Sequence, residues 1–286
     1  MSAKASTARR GSMAAQYTRG AKPRRRAARL GVDENTSVRA VLTLPAAGVV
    51  KPLQVALVLA HGAGGTMAQP LVVQLADALA ARGALVLRFN FAYADAGRRA
   101  PDRAPRLAAV YRAAAKWLAA RSEAKGRALV VGGKSLGGRV ASGLAALGDR
   151  ADGVFLLGYP LHPAGQPEKM RDAHLADVPC PLLFLAGTRD PLCDLALLRP
   201  VLKRLGRRAT LVVIEGGDHS FAVPKRSGRT ADDVLGELSE ASARWLAKLK
   251  PKSPPKPARP GRSRAPSSAT PRAGTTTRGS RSAPRR

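Results

Sequence analysis

Residues 128–139 read Ala-Leu-Val-Val-Gly-Gly-Lys-Ser-Leu-Gly-Gly-Arg. Ala128 to Val131 is short, apolar and rich in β-branched residues, which predicts a buried strand, and a helical pattern opens at Leu136 and runs to about Leu147. Between the two, Gly133-Lys134-Ser135-Leu136-Gly137 fits G-x-S-x-G, the sharp turn that lifts a serine off the carboxyl edge of a parallel sheet. The glycines follow from the geometry, because the backbone must reverse within one residue and a side chain at 133 or 137 would strike the neighbouring elements. Ser135 then stands at a helix N-terminus. There the N–H of Leu136 faces any oxyanion formed on a carbonyl that the serine attacks. A small-residue turn also has purely structural uses; the strand before it and the helix after it favour catalysis.

Two other readings of glycine-rich segments fail. Gly133-Lys134-Ser135 could end a phosphate-binding P-loop, but that motif needs a glycine at 128, where the chain has Ala128. Gly62-Ala63-Gly64-Gly65 falls short of a dinucleotide fingerprint, since Met67 replaces its last glycine and Phe89-Asn90-Phe91 ends the next strand without a ribose-binding acid. No cofactor is expected.

Outward from the serine, β-branched runs alternate with helical spacings, the pattern of a mostly parallel sheet covered by helices. Strands are expected at Val38–Leu44, Val55–Ala60, Ala84–Phe91, Val154–Leu157, Leu182–Ala186 and Thr210–Ile214. Leu71, Val72, Leu75 and Leu79 make the apolar stripe of a helix ending near Gly83, and a second helix covers Arg106–Arg121. In the last one Thr230 and Asp233 form a near capping box ahead of Val234, Leu235, Leu238, Ala241, Trp245 and Leu249.

A serine hydroxyl needs a base, and the base needs an acid to fix its tautomer, in the chain order Ser, Asp or Glu, His. Asp190 follows the strand ending at Ala186, and His219 follows the strand ending at Ile214. Both therefore belong at the carboxyl edge where Ser135 emerges. Asp194 is the alternative acid, though it is better placed to cap the helix it begins. His61 closes Val55–Ala60 and starts a loop whose Ala63 N–H would be the second oxyanion donor; His61 itself is expected to order that loop or border the pocket. Tyr159 and His162, after the strand Val154–Leu157, are candidates to line an acyl pocket. His174 reads as solvated, and Lys134 and Arg139 read equally as solvated charge or as a preference for anionic substrates.

The chain has 286 residues, with 49 Lys and Arg against 19 Asp and Glu. Residues 1–30 hold nine basic residues and no acid, and 251–286 hold ten and none. The second segment also carries eight of the 22 prolines and almost no large apolar side chain, so it cannot offset its ordering entropy. Three regions are expected: a disordered basic tail (1–30), one folded domain (31–250) and a disordered Pro/Arg-rich tail (251–286). The tails suit non-specific contact with a polyanion such as nucleic acid, or serve only as solubilising arms. Cys180 and Cys193 are too few for a disulfide framework and lack partners for a metal site. No apolar run approaches the ~20 residues of a membrane span, and the twin arginine at 9 and 10 has no apolar segment after it, so a cytoplasmic protein is expected.

With these motifs in place, the chain resembles the α/β-hydrolase superfamily, and within it the dienelactone-hydrolase-like group that includes testis-expressed protein 30 and the hydrolase-like domain of non-specific-lethal complex subunit three. The matching segments are His61-Gly-Ala-Gly-Gly65, Arg88-Phe-Asn-Phe91, Gly132-Gly-Lys-Ser-Leu-Gly-Gly-Arg139, Gly158-Tyr-Pro-Leu-His-Pro163, Gly187-Thr-Arg-Asp190 and Asp218-His-Ser-Phe221. The likeness covers about residues 37–249. It implies an α/β-hydrolase fold and a serine hydrolase acting on a small acyl substrate, with Ser135, Asp190 and His219 as its triad; the segment between Gly158 and Pro181 holds only a short polar helix, so no large lid domain is expected. The alternative is a non-catalytic binding module of the same fold.

Overall fold

The computed structural model describes residues 23–251. One sheet of eight strands runs through them in the order β1-β2-β4-β3-β5-β6-β7-β8. The strands are β1 (Arg25–Asp33), β2 (Thr36–Thr43), β3 (Val55–Ala60), β4 (Leu85–Phe89), β5 (Ala128–Lys134), β6 (Gly153–Leu157), β7 (Leu182–Gly187) and β8 (Ala209–Ile214). β2 pairs antiparallel with β1 and β4, and every other pairing is parallel. The helices are α1 (Pro70–Ala80), α2 (Ala92–Asp95), α3 (Ala104–Ala119), α4 (Leu136–Ala146), α5 (Leu195–Leu205) and α6 (Ala231–Leu246).

Because successive side chains of a strand point to opposite faces, each apolar run feeds two cores at once. Leu57, Leu59, Val86 and Val130 pack against Val72 and Leu75 of α1 and Leu238 and Trp245 of α6. Their neighbours Ala56, Val58, Leu87 and Val131 pack with Leu107 and Val110 of α3, Leu144 of α4 and Leu198 of α5. This two-sided burial explains why the central strands read as unbroken apolar runs. In α6 the Thr230 hydroxyl accepts from the Asp233 N–H, and Asp233 accepts from the Thr230 N–H, closing the capping box.

Strand β1 corrects the sequence reading. The folded region begins by Arg25, six residues inside the segment assigned to the basic tail. The arginines hid it: on an edge strand one face meets solvent, and there charge is an asset rather than a break. Arg25 pairs with Asp77 and Arg26 with Glu123, while Leu30 is wholly buried. Residues 1–22 and 252–286 of the expected tails lie outside the described residues. Among the described residues no helix is long and apolar enough to cross a membrane, and Cys180 and Cys193 are both buried free thiols.

Candidate active site

The carboxyl edge of the sheet gathers three loops over the end of β5. Ser135 takes a backbone conformation that a side-chain-bearing residue rarely adopts, with φ 50° and ψ −112°. It is held there from both sides. Its N–H donates to the Leu157 carbonyl of β6 (3.0 Å), and its own carbonyl accepts from Arg139 N–H in α4 (3.1 Å). Strain of this kind, concentrated at one residue by flanking regular structure, projects the hydroxyl above the sheet edge.

The acid and histidine loops are joined to each other before either reaches the serine. Thr188 N–H donates to the Ile214 carbonyl (3.1 Å) and Arg189 N–H to the Gly217 carbonyl (2.9 Å). The Thr188 hydroxyl accepts from Gly216 N–H at 2.8 Å. The two backbones touch at Gly187, where a Cβ would fall 2.1 Å from the Gly217 carbonyl oxygen. Within the histidine loop Asp218 Oδ1 accepts from the N–H groups of Ser220 (2.7 Å) and Ala222 (2.9 Å), and Phe221 is turned into the left-handed region at φ 63°.

These constraints bring Ser135, His219 and Asp190 into one chain of contacts. His219 Nε2 lies 2.9 Å from Ser135 Oγ, and Nδ1 lies 2.8 Å from Asp190 Oδ2 and 3.0 Å from Oδ1. The Asp190 side chain has no exposure while the imidazole retains 23%, so the acid is screened from solvent and the reacting end is open. Asp190 Oδ1 also accepts from Leu192 N–H at 2.8 Å, which holds the carboxylate independently of the histidine. With Nδ1–H donated to the carboxylate, Nε2 is left free to accept the serine proton. Asp194 does not join this chain. It caps α5, accepting from Ala196 N–H at 2.7 Å.

The loop that His61 begins is clamped from below. His61 is fully buried; its Nδ1 is 2.8 Å from the Gly62 carbonyl, and its Nε2 accepts from Phe91 N–H at 3.1 Å. That pattern fixes the neutral tautomer with the proton on Nδ1, and burial lowers the pKa of the ring. Tyr93 donates to the same Gly62 carbonyl (3.3 Å). Gly62 lies against Ser135, since a Cβ there would be 3.4 Å from the serine Cβ. Farther along, Met67 is gripped at both ends, its N–H by Asn90 Oδ1 at 2.8 Å and its carbonyl by the Arg88 guanidinium. Nothing in the local sequence marks Arg88 and Asn90 for this clamping role, which depends on a loop 21 to 23 residues away.

Other expectations need correcting. His61 does not border a pocket, because both ring nitrogens are committed to backbone beneath the loop. Tyr159 is 1% exposed, donates its hydroxyl to the Arg171 carbonyl (2.6 Å) and packs on Phe184, so it straps down the 161–172 segment instead of lining an acyl site. His162 borders a shallow depression of about 470 Å³ beside the acid loop, with Thr188, Arg189 and Asp194. Its ring is nevertheless engaged with the Pro163 carbonyl (2.9 Å) and Asp194 N–H (3.2 Å). His174 is half-buried rather than freely solvated, its Nε2 meeting the Ser142 hydroxyl at 2.8 Å and burial lowering its pKa. Lys134 is neither a solvated nor a substrate-facing charge, at 3% exposure. Burial raises the Cys193 thiol to about 12, which keeps it protonated beside the acid loop. Among the described residues no three His, Cys, Asp or Glu converge as metal ligands.

An eight-stranded, mostly parallel sheet with a serine on a strained strand-to-helix turn defines the α/β-hydrolase class of fold. A family model described as an α/β hydrolase domain matches residues 53–247, and the chain belongs to that family. Three solved structures extend the likeness. A dienelactone hydrolase from Anabaena variabilis is 20% identical, with 80% of this chain and all of that one covered at a TM-score of 0.63. A lidless α/β serine hydrolase from Xanthomonas campestris is 24% identical over 80% and 97% of the two chains, TM-score 0.61. The esterase domain of a Rhodothermus marinus protein is 18% identical over 79% and 99%, TM-score 0.58. At these identities the likeness is one of fold.

Proposed function

We propose that the protein is a serine hydrolase that cleaves an ester or a similarly activated acyl bond of a small substrate. The observation that carries the reading is the unbroken Ser135–His219–Asp190 chain at 2.9 and 2.8 Å, on three loops at one sheet edge. In this mechanism Ser135 Oγ attacks the carbonyl carbon while His219 Nε2 takes its proton, and Asp190 stabilises the imidazolium that results. The oxyanion accepts from the N–H groups of Leu136, which has no acceptor in the first turn of α4, and of Ala63 on the clamped loop. The tetrahedral intermediate collapses, and the alcohol leaves with the proton from His219. Water, deprotonated by the same base, then attacks the acyl-serine and releases the acid.

Covalent labelling by a fluorophosphonate tests this directly. Wild type should be labelled and Ser135→Ala should not; equal labelling of the two, or none of a folded wild type, refutes the hydrolase reading. A panel of p-nitrophenyl esters of increasing chain length would then define the acyl preference. The basic segments outside the described residues are proposed to contact polyanions without reading sequence, independently of the chemistry.

A further inference from the structure

The mechanism leaves one buried charge unused. Lysine is almost never fully buried without a partner, yet Lys134 closes β5 at 3% exposure, in register with Leu157 and one residue before the nucleophile. Its stem runs alongside Gly62, where a Cβ would stand at ordinary contact distance, 3.5 Å, from Lys134 Cγ. Its end lies against a second glycine. The point a Gly158 Cβ would occupy is 3.2 Å from Lys134 Nζ, 3.3 Å from the His219 carbonyl oxygen and 3.5 Å from Cε2 of Phe221. The ammonium is thus held against the histidine loop.

Among the described residues no hydrogen bond or ion pair ties Nζ down; the groups that attract it are the carboxylates of Asp190 and Asp218. They stand one on each of the two loops that must meet over Ser135. The histidine loop also brings the His219 carbonyl oxygen to the same side of Gly158 as Nζ. β6 presents Leu157 and Gly158, without charge, and the oxyanion loop presents Gly62, behind which the neutral His61 is bonded to backbone on both sides. Burial lowers the lysine to about 8, against the pull of the two carboxylates, so it is charged at neutral pH and loses its proton just above.

We propose that Lys134 is a positioning residue, whose buried ammonium offsets Asp190 and Asp218 and so keeps the acid and histidine loops together with His219 aligned on Ser135. The inference rests on the triad reading above. It requires a charge at this place rather than a particular hydrogen-bond geometry, which separates it from a packing role. Lys134→Met keeps a similar length without charge, and Lys134→Arg keeps the charge.

The full-length chain and both variants are to be compared in kcat/KM for p-nitrophenyl acetate across neutral to alkaline pH. Wild-type activity should fall as pH rises through about 8, where the ammonium is lost. Lys134→Met should lose about ten- to hundredfold at neutral pH, mostly in kcat, the effect of a small displacement of the base, and should lack that alkaline limb. Lys134→Arg should retain most activity and carry the limb to higher pH, since a guanidinium stays protonated. A readout independent of turnover is the ¹³Cε resonance of the lysines. One lysine should titrate near 8 and vanish in Lys134→Met, and its midpoint should fall in Asp190→Asn and again in Asp218→Asn. A Lys134→Met enzyme with wild-type activity and the same limb overturns the proposal, as does a lysine midpoint that neither Asp→Asn change moves. Should Lys134→Met not fold, Lys134→Arg and the two Asp→Asn titrations decide. A wild type inert to fluorophosphonate and ester refutes the hydrolase reading, while the lysine titration still decides this one.

Discussion

Replacing Gly137 by alanine sets the elbow against the strand it packs on. A Cβ at this position would stand 2.8 Å from the Cβ and carbonyl oxygen of Ala60 and 2.8 Å from the carbonyl oxygen of His61. Non-bonded contacts settle at about 3.5–4.0 Å, so α4 and the end of β3 must separate by roughly 0.7–1.2 Å. Each side of that misfit carries a proposed oxyanion donor, Leu136 on α4 and Ala63 on the loop that His61 begins. Overpacking of this kind costs about 1–3 kcal/mol, which at about 2–4 °C per kcal/mol for a domain of this size lowers Tm by roughly 2–12 °C. The displaced donors should reduce kcat about ten- to hundredfold with KM nearly unchanged. Gly143 on the same helix is the control, because a Cβ there meets nothing within 4 Å. Gly143→Ala should instead gain up to about 1 kcal/mol of helix propensity and raise Tm by about 2–4 °C, with activity intact. Calorimetric melts and p-nitrophenyl acetate hydrolysis of the two variants read both effects. A Gly137→Ala protein with wild-type Tm and kcat refutes the reasoning, and so do equal losses in both variants.

Asp190→Asn should reduce kcat by about 10⁴-fold, because the wrong imidazole tautomer becomes favoured, whereas Asp194→Asn, which still caps α5, should change little; the reverse pattern in a steady-state assay reassigns the acid. Tyr111 accepts from Gly132 N–H (2.6 Å) and donates to the Gly132 carbonyl (2.7 Å) within the core. Tyr111→Phe strands that buried N–H at a cost of about 1–3 kcal/mol, so its thermal melt should fall measurably, and an unchanged Tm would count against the bond. Trimming to residues 23–251 should leave ester hydrolysis and Tm unchanged and abolish any salt-sensitive gel shift of duplex DNA, while a chain starting at residue 31 should melt lower because it lacks most of β1. A gel shift that survives the first trimming would move the basic surface onto the folded domain.

The central strands were legible because burial on both faces leaves a continuous apolar run, and Val55–Ala60 and Ala128 onward are recognisable without any partner. The elbow was legible because steric demands confine it to small residues at fixed offsets from Ser135. Strand β1 was not. Arg-Arg-Ala-Ala-Arg contains no apolar alternation, and only pairing with β2 makes Leu30 a core residue. The end of β5 is not legible either: the sequence pattern stops at Val131, since neither glycines nor a lysine read as strand, but Gly132, Gly133 and Lys134 continue it by pairing with Phe155, Leu156 and Leu157 of β6.

Side-chain roles at the sheet edge divided along a similar line. The chain has four histidines, and position after a strand singled out His219 because that role depends on chain order and topology. The same criterion drew His61 toward the pocket, although it spends both ring nitrogens on loop backbone, and His162, which does border the depression beside the acid loop, likewise engages loop backbone and the N–H of a helix cap. A tight, irregular edge exposes many backbone donors and acceptors that no ladder satisfies, and a neutral imidazole, with one donor and one acceptor set apart on a rigid ring, can bridge two of them. Polar residues at such an edge are therefore used first to hold loops. What distinguishes His219 is that its Nε2 meets a side-chain hydroxyl at the end of a strained turn, with a fully buried carboxylate behind it. That distinction depends on the partner of each nitrogen, and those partners lie 29 and 84 residues away in the chain.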